Sequence, residues 1–351
     1  MQVMRALQVQ EPVFPDTRYM GSKKSLLQFI WDTVKQVKFQ TVLDAFSGSG
    51  CVAQMFKARG KQVMANDHLE YSYHLANATV ANSSERLSEE EIRKLLQPNR
   101  RSRRFIQRTF KGIYFTDDEN KFLDNISYNI RLLDSPFKRS LAIAALCRAC
   151  VKRRPRGIFT FIGLDKYDDG RLDLRMHLRD HFRRAIMEFN HSVYDNGYQC
   201  FTYNEDVFNL KISSPDLVYF DPPYVTPHSD NDYLRRYHFV EGLCSYWERP
   251  GSEILHHTKT KKLKKYPTSF ASKTTIYDAF DRLFEKFGSS IIVISYSSNC
   301  LPGKNELVDM LKNHKRAVTV ESFRHRYSFG THNHKVNNPT NLVDEYLFIA
   351  Q

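Results

Sequence analysis

Long apolar runs are missing from this chain of 351 residues, and no segment is long enough to span a bilayer. No lysine-rich amphipathic helix dominates either, which disfavours an anionic membrane surface as the partner. Cysteine is scarce: six are scattered along the chain and make no disulfide framework, as suits a reducing cytoplasm. Cys147 and Cys150 form one C-x-x-C, but no second pair stands at zinc spacing, so they read as small residues in a helix. His332 and His334 have the same reading, and no metal is expected. The opening MQVMRALQVQEPVF lacks the apolar core and small-residue cleavage site of a secretory leader, so the expected location is the cytoplasm. Internal repeats and low-complexity tracts are absent too.

Acidic residues are in deficit, 39 against 52 Lys and Arg, for a net charge of +13. Such a field concentrates polyanions and speeds their encounter, so nucleic acid is the first partner class to consider. A hydrophobic fraction of 41% and a charged fraction of 26% are those of an ordinary globular protein. The length suits one domain carrying a substantial insertion.

Two strand-like runs come early, Thr41 to Phe46 and Gln62 to Asn66. Between them lie a Gly/Ser turn and CVAQMFKARG, a helix closed by Gly60, which makes a strand, helix, strand unit and predicts a parallel sheet. From residue 81 to 198 helical patterns take over, opened by Ser88 and Glu91 as a capping box. This stretch carries the basic runs RRSRRFIQRTFKG and RACVKRRPRG and reads as an inserted helical lobe. Strands resume at Gln199 to Tyr203, Leu217 to Phe220 and Ile291 to Tyr296. Val318 to Phe323 and Glu345 to Ala350 leave no room for a crossover helix and are predicted to pair antiparallel. A third basic run, HHTKTKKLKKYP, falls in the long segment after Tyr224 and reads as a mobile, DNA-facing flap.

DAFSGSG, Asp44 to Gly50, is a glycine turn between strand and helix, where a ligand can approach backbone at the carboxyl end of a parallel sheet. Asp67 ends the next strand, placed to hold ribose hydroxyls. Together they indicate an adenosine-containing cofactor without saying which. VYFDPPYVT then separates the candidates. Here a buried strand ends on Asp221, two prolines and Tyr224, and the prolines fix φ twice and hold the acid extended. A dinucleotide-binding fold has no use for that strand end, whereas a methyltransferase does.

With these motifs the chain resembles the Dam-type adenine-specific DNA methyltransferases, whose motif order it repeats. RYMGSKKSLL is similar to the family's opening cofactor motif and implies Tyr19 and Lys23 at the cofactor. DAFSGSG implies Asp44, Phe46, Gly48 and Gly50 there; ANDHLE brings the ribose acid as Asp67, and NED the adenine-ring acid as Asp206. DPPY matches the catalytic motif, giving Asp221, Pro222, Pro223 and Tyr224, with Asp221 also bordering the cofactor, and ISYSSN resembles the strand end that follows it. RGIFTFIG resembles a segment laid against the target duplex, with Thr160 where the family commonly has asparagine; Lys152, Arg153, Arg154 and Arg156 are the expected DNA contacts.

The resemblance implies a Rossmann-like, mostly parallel sheet with an antiparallel C-terminal hairpin. Its core would be residues 1–80 and 199–351, with 81–198 as the target-recognition lobe and 225–275 as a flap. It also implies S-adenosylmethionine as cofactor, double-stranded DNA as partner, no membrane and no obligate protein partner. An RNA adenine methyltransferase and a non-catalytic nucleic-acid binder on the same fold are the alternatives, and a restriction-modification role is a further expectation. Tyr233, Tyr237 and Phe239 are candidates to close over the target base.

Overall fold

Short runs of β-branched and aromatic residues become strands here because neighbouring helices bury them on both faces. The computed structural model describes residues 14–163, 170–226, 232–266, 268–270, 272–326 and 342–351; His332 and His334 lie outside the described residues. Its centre is a sheet of seven strands: β1 (Thr41–Asp44), β2 (Gln62–Asn66), β3 (Phe201–Tyr203), β4 (Leu217–Phe220), β5 (Ile291–Ser297), β6 (Val318–Arg326) and β7 (Leu342–Ala350). Their order is β3-β2-β1-β4-β5-β7-β6. The first five are parallel, and β7 runs antiparallel to both β5 and β6. The expected hairpin forms, and the topology is that of a class I methyltransferase.

Alternation along the strands sends successive side chains to opposite faces. Val42 and Leu217 join the core beneath α1 (Leu27–Val34) and α2 (Cys51–Ala58). Their neighbours Leu43 and Val218 join the core beneath α10 (Ile276–Lys286) and α11 (Lys304–Lys312). The chain reverses direction across the sheet between β1 and β4, and such a switch point opens a crevice at the carboxyl ends of the strands.

The helical insertion is present as α4 (Glu89–Leu95), α5 (Phe105–Thr109), α6 (Asp117–Arg131), α7 (Pro136–Arg153) and α8 (Leu178–His191). Ser88 and Glu91 make the reciprocal capping box at the start of α4. Cys147 and Cys150 are free and buried within α7.

The lobe's core draws on more sequence than the insertion alone. Tyr71 and Leu75 of α3 (Glu70–Ala76) enter it, as do Tyr237, Phe239 and Val240 of α9 (Tyr233–Cys244). Within the segment after Tyr224, α9 is therefore packed scaffold rather than part of a flap. Phe239 is fully buried, with ring centroids 4.9 Å from Phe110 and 5.1 Å from Phe159. Gly242 makes this packing possible, since a Cβ there would fall 2.1 Å from the indole nitrogen of Trp247. The third basic run is likewise anchored over its described part: Ile254 bridges Leu263, and the Thr260 carbonyl accepts from the Tyr114 hydroxyl at 2.6 Å.

Candidate active site

The glycine turn sets one wall of the crevice. Gly48 takes φ +49°, its amide donates to Asp67 Oδ2 at 2.8 Å, and a Cβ there would meet the Tyr19 ring at 3.0 Å. Only a residue without a side chain fits between the acid and the ring. Gly50, with φ +80°, begins α2 as its N-cap. Asp67 also accepts the Leu69 amide at 2.9 Å. Burial pushes its carboxyl up to about 6, against the pull of the Leu69, Gly48 and His68 amides.

Asp44 ends β1 inside the same wall. Its Oδ2 accepts from the Ala53 amide at 3.1 Å, whereas Oδ1 is buried without a hydrogen-bond partner among the described residues. Burial holds its carboxyl well above the usual range, reinforced by the charges of Asp221 and Asp67. A buried carboxylate oxygen without a partner is costly, and it suits a donor or cation arriving with a ligand. Asp206 lines the crevice from the loop after β3, its Oδ1 fixed by the Phe208 amide at 2.9 Å.

Across the crevice, β4 delivers Asp221 and the two prolines at its carboxyl end. The Lys23 ammonium, from a short 3₁₀ turn over Lys23–Leu26, lies 2.9 Å from Asp221 Oδ1 and donates to the Tyr224 hydroxyl at 2.7 Å. That hydroxyl in turn donates to Asp221 Oδ1 at 3.0 Å. Burial raises the Asp221 carboxyl, while Lys23 draws it back down. Burial alone would discharge Lys23, but the neighbouring Asp221 and Glu345 carboxylates more than offset it and hold the ammonium charged. The Tyr224 ring stands edge-on to Tyr296 at 5.0 Å, has the Lys23 ammonium 4.8 Å from its centroid, and lines the crevice.

Tyr19, Lys23, Asp44, Phe46, Gly48, Asp67, Asp206, Asp221, Pro223 and Tyr224 all line this single crevice, which gathers the sequence motifs into one place. The DNA contacts expected around residue 153 do not follow suit. Arg154 is fully buried, donating at 2.8 Å to the carbonyls of Phe161 and Gly163, with its guanidinium 4.7 Å from the Phe161 ring. Burial lowers its pKa to about 10. Arg153 is bound at 2.8 Å to Glu119 in the lobe interior. Both are internal struts and not readers of a duplex. Lys152, near the end of α7, and Arg156, in the 3₁₀ turn Pro155–Gly157 that follows it, are half-buried, Arg156 with φ +60°. Arg100, Arg101, Arg103, Arg104, Arg108 and Lys111 remain on the surface.

The three aromatics expected over the target base divide. Tyr237 is buried and accepts the Met20 amide at 2.7 Å, and Phe239 belongs to the lobe core, which corrects both expectations. Tyr233 does line the crevice, stacked on Tyr19 at 5.9 Å.

Other lining residues have no motif. Phe270 packs on Phe46 at 5.0 Å and on Phe208 at 5.8 Å, and Tyr266 meets the His68 ring at 4.5 Å, closing the crevice beside the glycine turn. Glu345 of β7 is buried beside Tyr224. Its signal in the sequence is an acid on the strand face that it shares with the apolar Val343, Leu347 and Ile349.

A model of the D12 class N6 adenine-specific DNA methyltransferases matches residues 19–297 of this chain. The Type II methyltransferase M2.HphI of Haemophilus parahaemolyticus is 29% identical over 330 residues, covering 90% of this chain and 93% of its own. M.FokI of Planomicrobium okeanokoites is 27% identical over 95% of this chain, which spans 52% of that longer protein. M.CviAII of Paramecium bursaria Chlorella virus 1 is 23% identical over 95% of this chain and 97% of its own.

Proposed function

We propose that this chain, which belongs to the D12 class N6 adenine-specific DNA methyltransferase family, moves a methyl group from S-adenosylmethionine to an adenine swung out of duplex DNA at a specific sequence. The observation that carries this reading is the crevice in which Asp221 of the DPPY strand end faces the Gly48 and Asp67 wall. The residues fit the cofactor: Asp67 suits ribose hydroxyls, Asp206 an adenine ring edge, and the orphaned Asp44 oxygen a cationic amino group. Bound there, S-adenosylmethionine supplies an electrophilic methyl on a sulfonium.

The amino nitrogen of adenine is a weak nucleophile because its lone pair is delocalised into the ring. Asp221 accepts one amino hydrogen through its carboxylate, and Pro222 accepts the other through its carbonyl. Two fixed acceptors favour a pyramidal nitrogen and stabilise the positive charge that grows on it. The prolines keep both acceptors still, so much of the acceleration comes from alignment. Tyr224 offers a stacking face for the extruded base, worth about 1 to 3 kcal/mol, and extrusion itself costs a few kcal/mol. Residues 81–198 serve as the target-recognition lobe, with the exposed arginines from Arg100 to Arg108 against phosphates. The names of the relatives favour a modification enzyme paired with a restriction activity.

The test is incubation with labelled S-adenosylmethionine and matched unmethylated DNA or RNA, followed by nucleoside analysis. Label in N6-methyladenosine from RNA alone would favour the RNA reading, and label in neither would leave a non-catalytic binder.

A further inference from the structure

Glu345 is named by no motif, yet β7 places it beside the Lys23, Asp221 and Tyr224 cluster. Its side chain is 1% exposed, with Oε2 3.4 Å from the Tyr224 hydroxyl and Oε1 without a partner among the described residues. A phenolic hydroxyl has one hydrogen to give. That of Tyr224, already accepting from Lys23, has among the described residues Asp221 Oδ1 in reach at 3.0 Å, Glu345 Oε2 at 3.4 Å and the Ser295 carbonyl at 3.5 Å. Two carboxylates therefore compete for one donor and share the field of one ammonium.

Building on the methyltransferase reading above, we propose that Glu345 is a positioning residue whose ionised form draws the Tyr224 hydroxyl, and part of the Lys23 field, away from Asp221. Asp221 is then left with more of its acceptor strength for the amino hydrogen of the target base. When Glu345 is neutral, the hydroxyl turns to Asp221, the ammonium pairs with it undivided, and the acceptor weakens. Glu345 takes no part in bond making.

The groups facing Glu345 set where this change happens. Burial raises its carboxyl to about 7, Lys23 pulls downward, the Asp221 charge pushes upward, and Tyr224 bonds to the ionised form. The nearby Cys300 thiol, itself pushed up to about 12, stays neutral throughout. Glu345 is thus neutral below about pH 7 and ionised above it, so the methyl-transfer step accelerates as pH rises through that value.

The experiment is single-turnover methylation of unmethylated genomic DNA by excess enzyme preloaded with S-adenosylmethionine, from about pH 6 to about 8.5. We expect the wild-type rate to rise by about fivefold to tenfold, one unit in the acceptor's basicity setting the ceiling. Glu345→Gln should be flat near the wild-type low-pH rate, and Glu345→Asp should restore a rising limb. Cofactor affinity by calorimetry should stay within about twofold in both. The proposal is overturned if Glu345→Gln keeps the wild-type limb, if it is flat at the high-pH rate, or if both variants lose cofactor binding together. A wild type that methylates no adenine would instead overturn the function on which the proposal rests.

Discussion

Lys23 and Asp221 form an ion pair of 2.9 Å at the carboxyl end of β4, the lysine side chain 3% exposed and the aspartate 17%. A pair this sheltered is weakly screened by salt, and removing either partner leaves the other uncompensated. The RYMGSKKSLL stretch near the start of the chain and the DPPY strand end far along it are thereby one electrostatic unit.

Asp221→Ala should lower methyl transfer by at least about a thousandfold, since the acceptor that favours pyramidal nitrogen is gone. Single-turnover assays check the rate, and circular dichroism should show the fold retained. Residual turnover within about tenfold of wild type would remove Asp221 from the mechanism.

Lys23→Met should cost about 3 to 5 kcal/mol of stability because Asp221 and Glu345 then face each other without a cation. Denaturant unfolding measures that loss. A melting curve like that of the wild type would mean that the ammonium does not hold these acids.

Cofactor affinity should depend on pH through Asp67, whose carboxyl is raised to about 6. The group is ionised above that value, where it can accept ribose hydroxyls, and becomes neutral below it. S-adenosylmethionine should therefore bind most tightly above about pH 7 and weaken by up to about tenfold per pH unit as pH falls below 6. Titration calorimetry at several pH values should show this limb in the wild type, and a limb that survives in Asp67→Asn would assign it to another group.

Tyr224→Phe keeps the ring and loses the hydroxyl bonded to Lys23 and Asp221, whereas Tyr224→Ala loses both. The alanine variant should be worse by about 1 to 3 kcal/mol in kcat/KM, the worth of the stacking face. Equal losses would place the role of Tyr224 in its hydroxyl alone.

The buried and the exposed arginines should separate cleanly. Arg154→Met strips the donors from the Phe161 and Gly163 carbonyls and should cost about 2 to 5 kcal/mol of stability, read in thermal melts. Arg104→Ala and Arg108→Ala should leave melting unchanged, yet each should reduce the slope of log affinity for DNA against log salt by about 0.9. An unchanged slope in both would move the DNA surface elsewhere.

Much of the sheet was legible in the sequence because its signals are local. Gln62–Asn66 and Leu217–Phe220 have the bounds that their apolar runs predict, and β6 and β7 pair antiparallel, as expected of two strands too close in sequence for a crossover helix. The places of Tyr237 and Phe239 are not legible in the sequence because the aromatics of α9 look alike there whether they line a cleft or fill a core. Only the partners Phe110 and Phe159 decide for Phe239.

The sequence by itself determined the crevice's chemistry: glycines where backbone must come close, acids at the ends of strands, prolines behind Asp221. These follow from the parallel βαβ plan, which sends every such strand end to the same edge. Tertiary structure alone decided the charge states. Whether an arginine reads DNA or braces a loop, and whether Glu345 titrates near pH 7 or in the ordinary carboxylate range, depends on desolvation and on neighbours brought from distant parts of the chain. Such neighbours leave no pattern in the local order of residues.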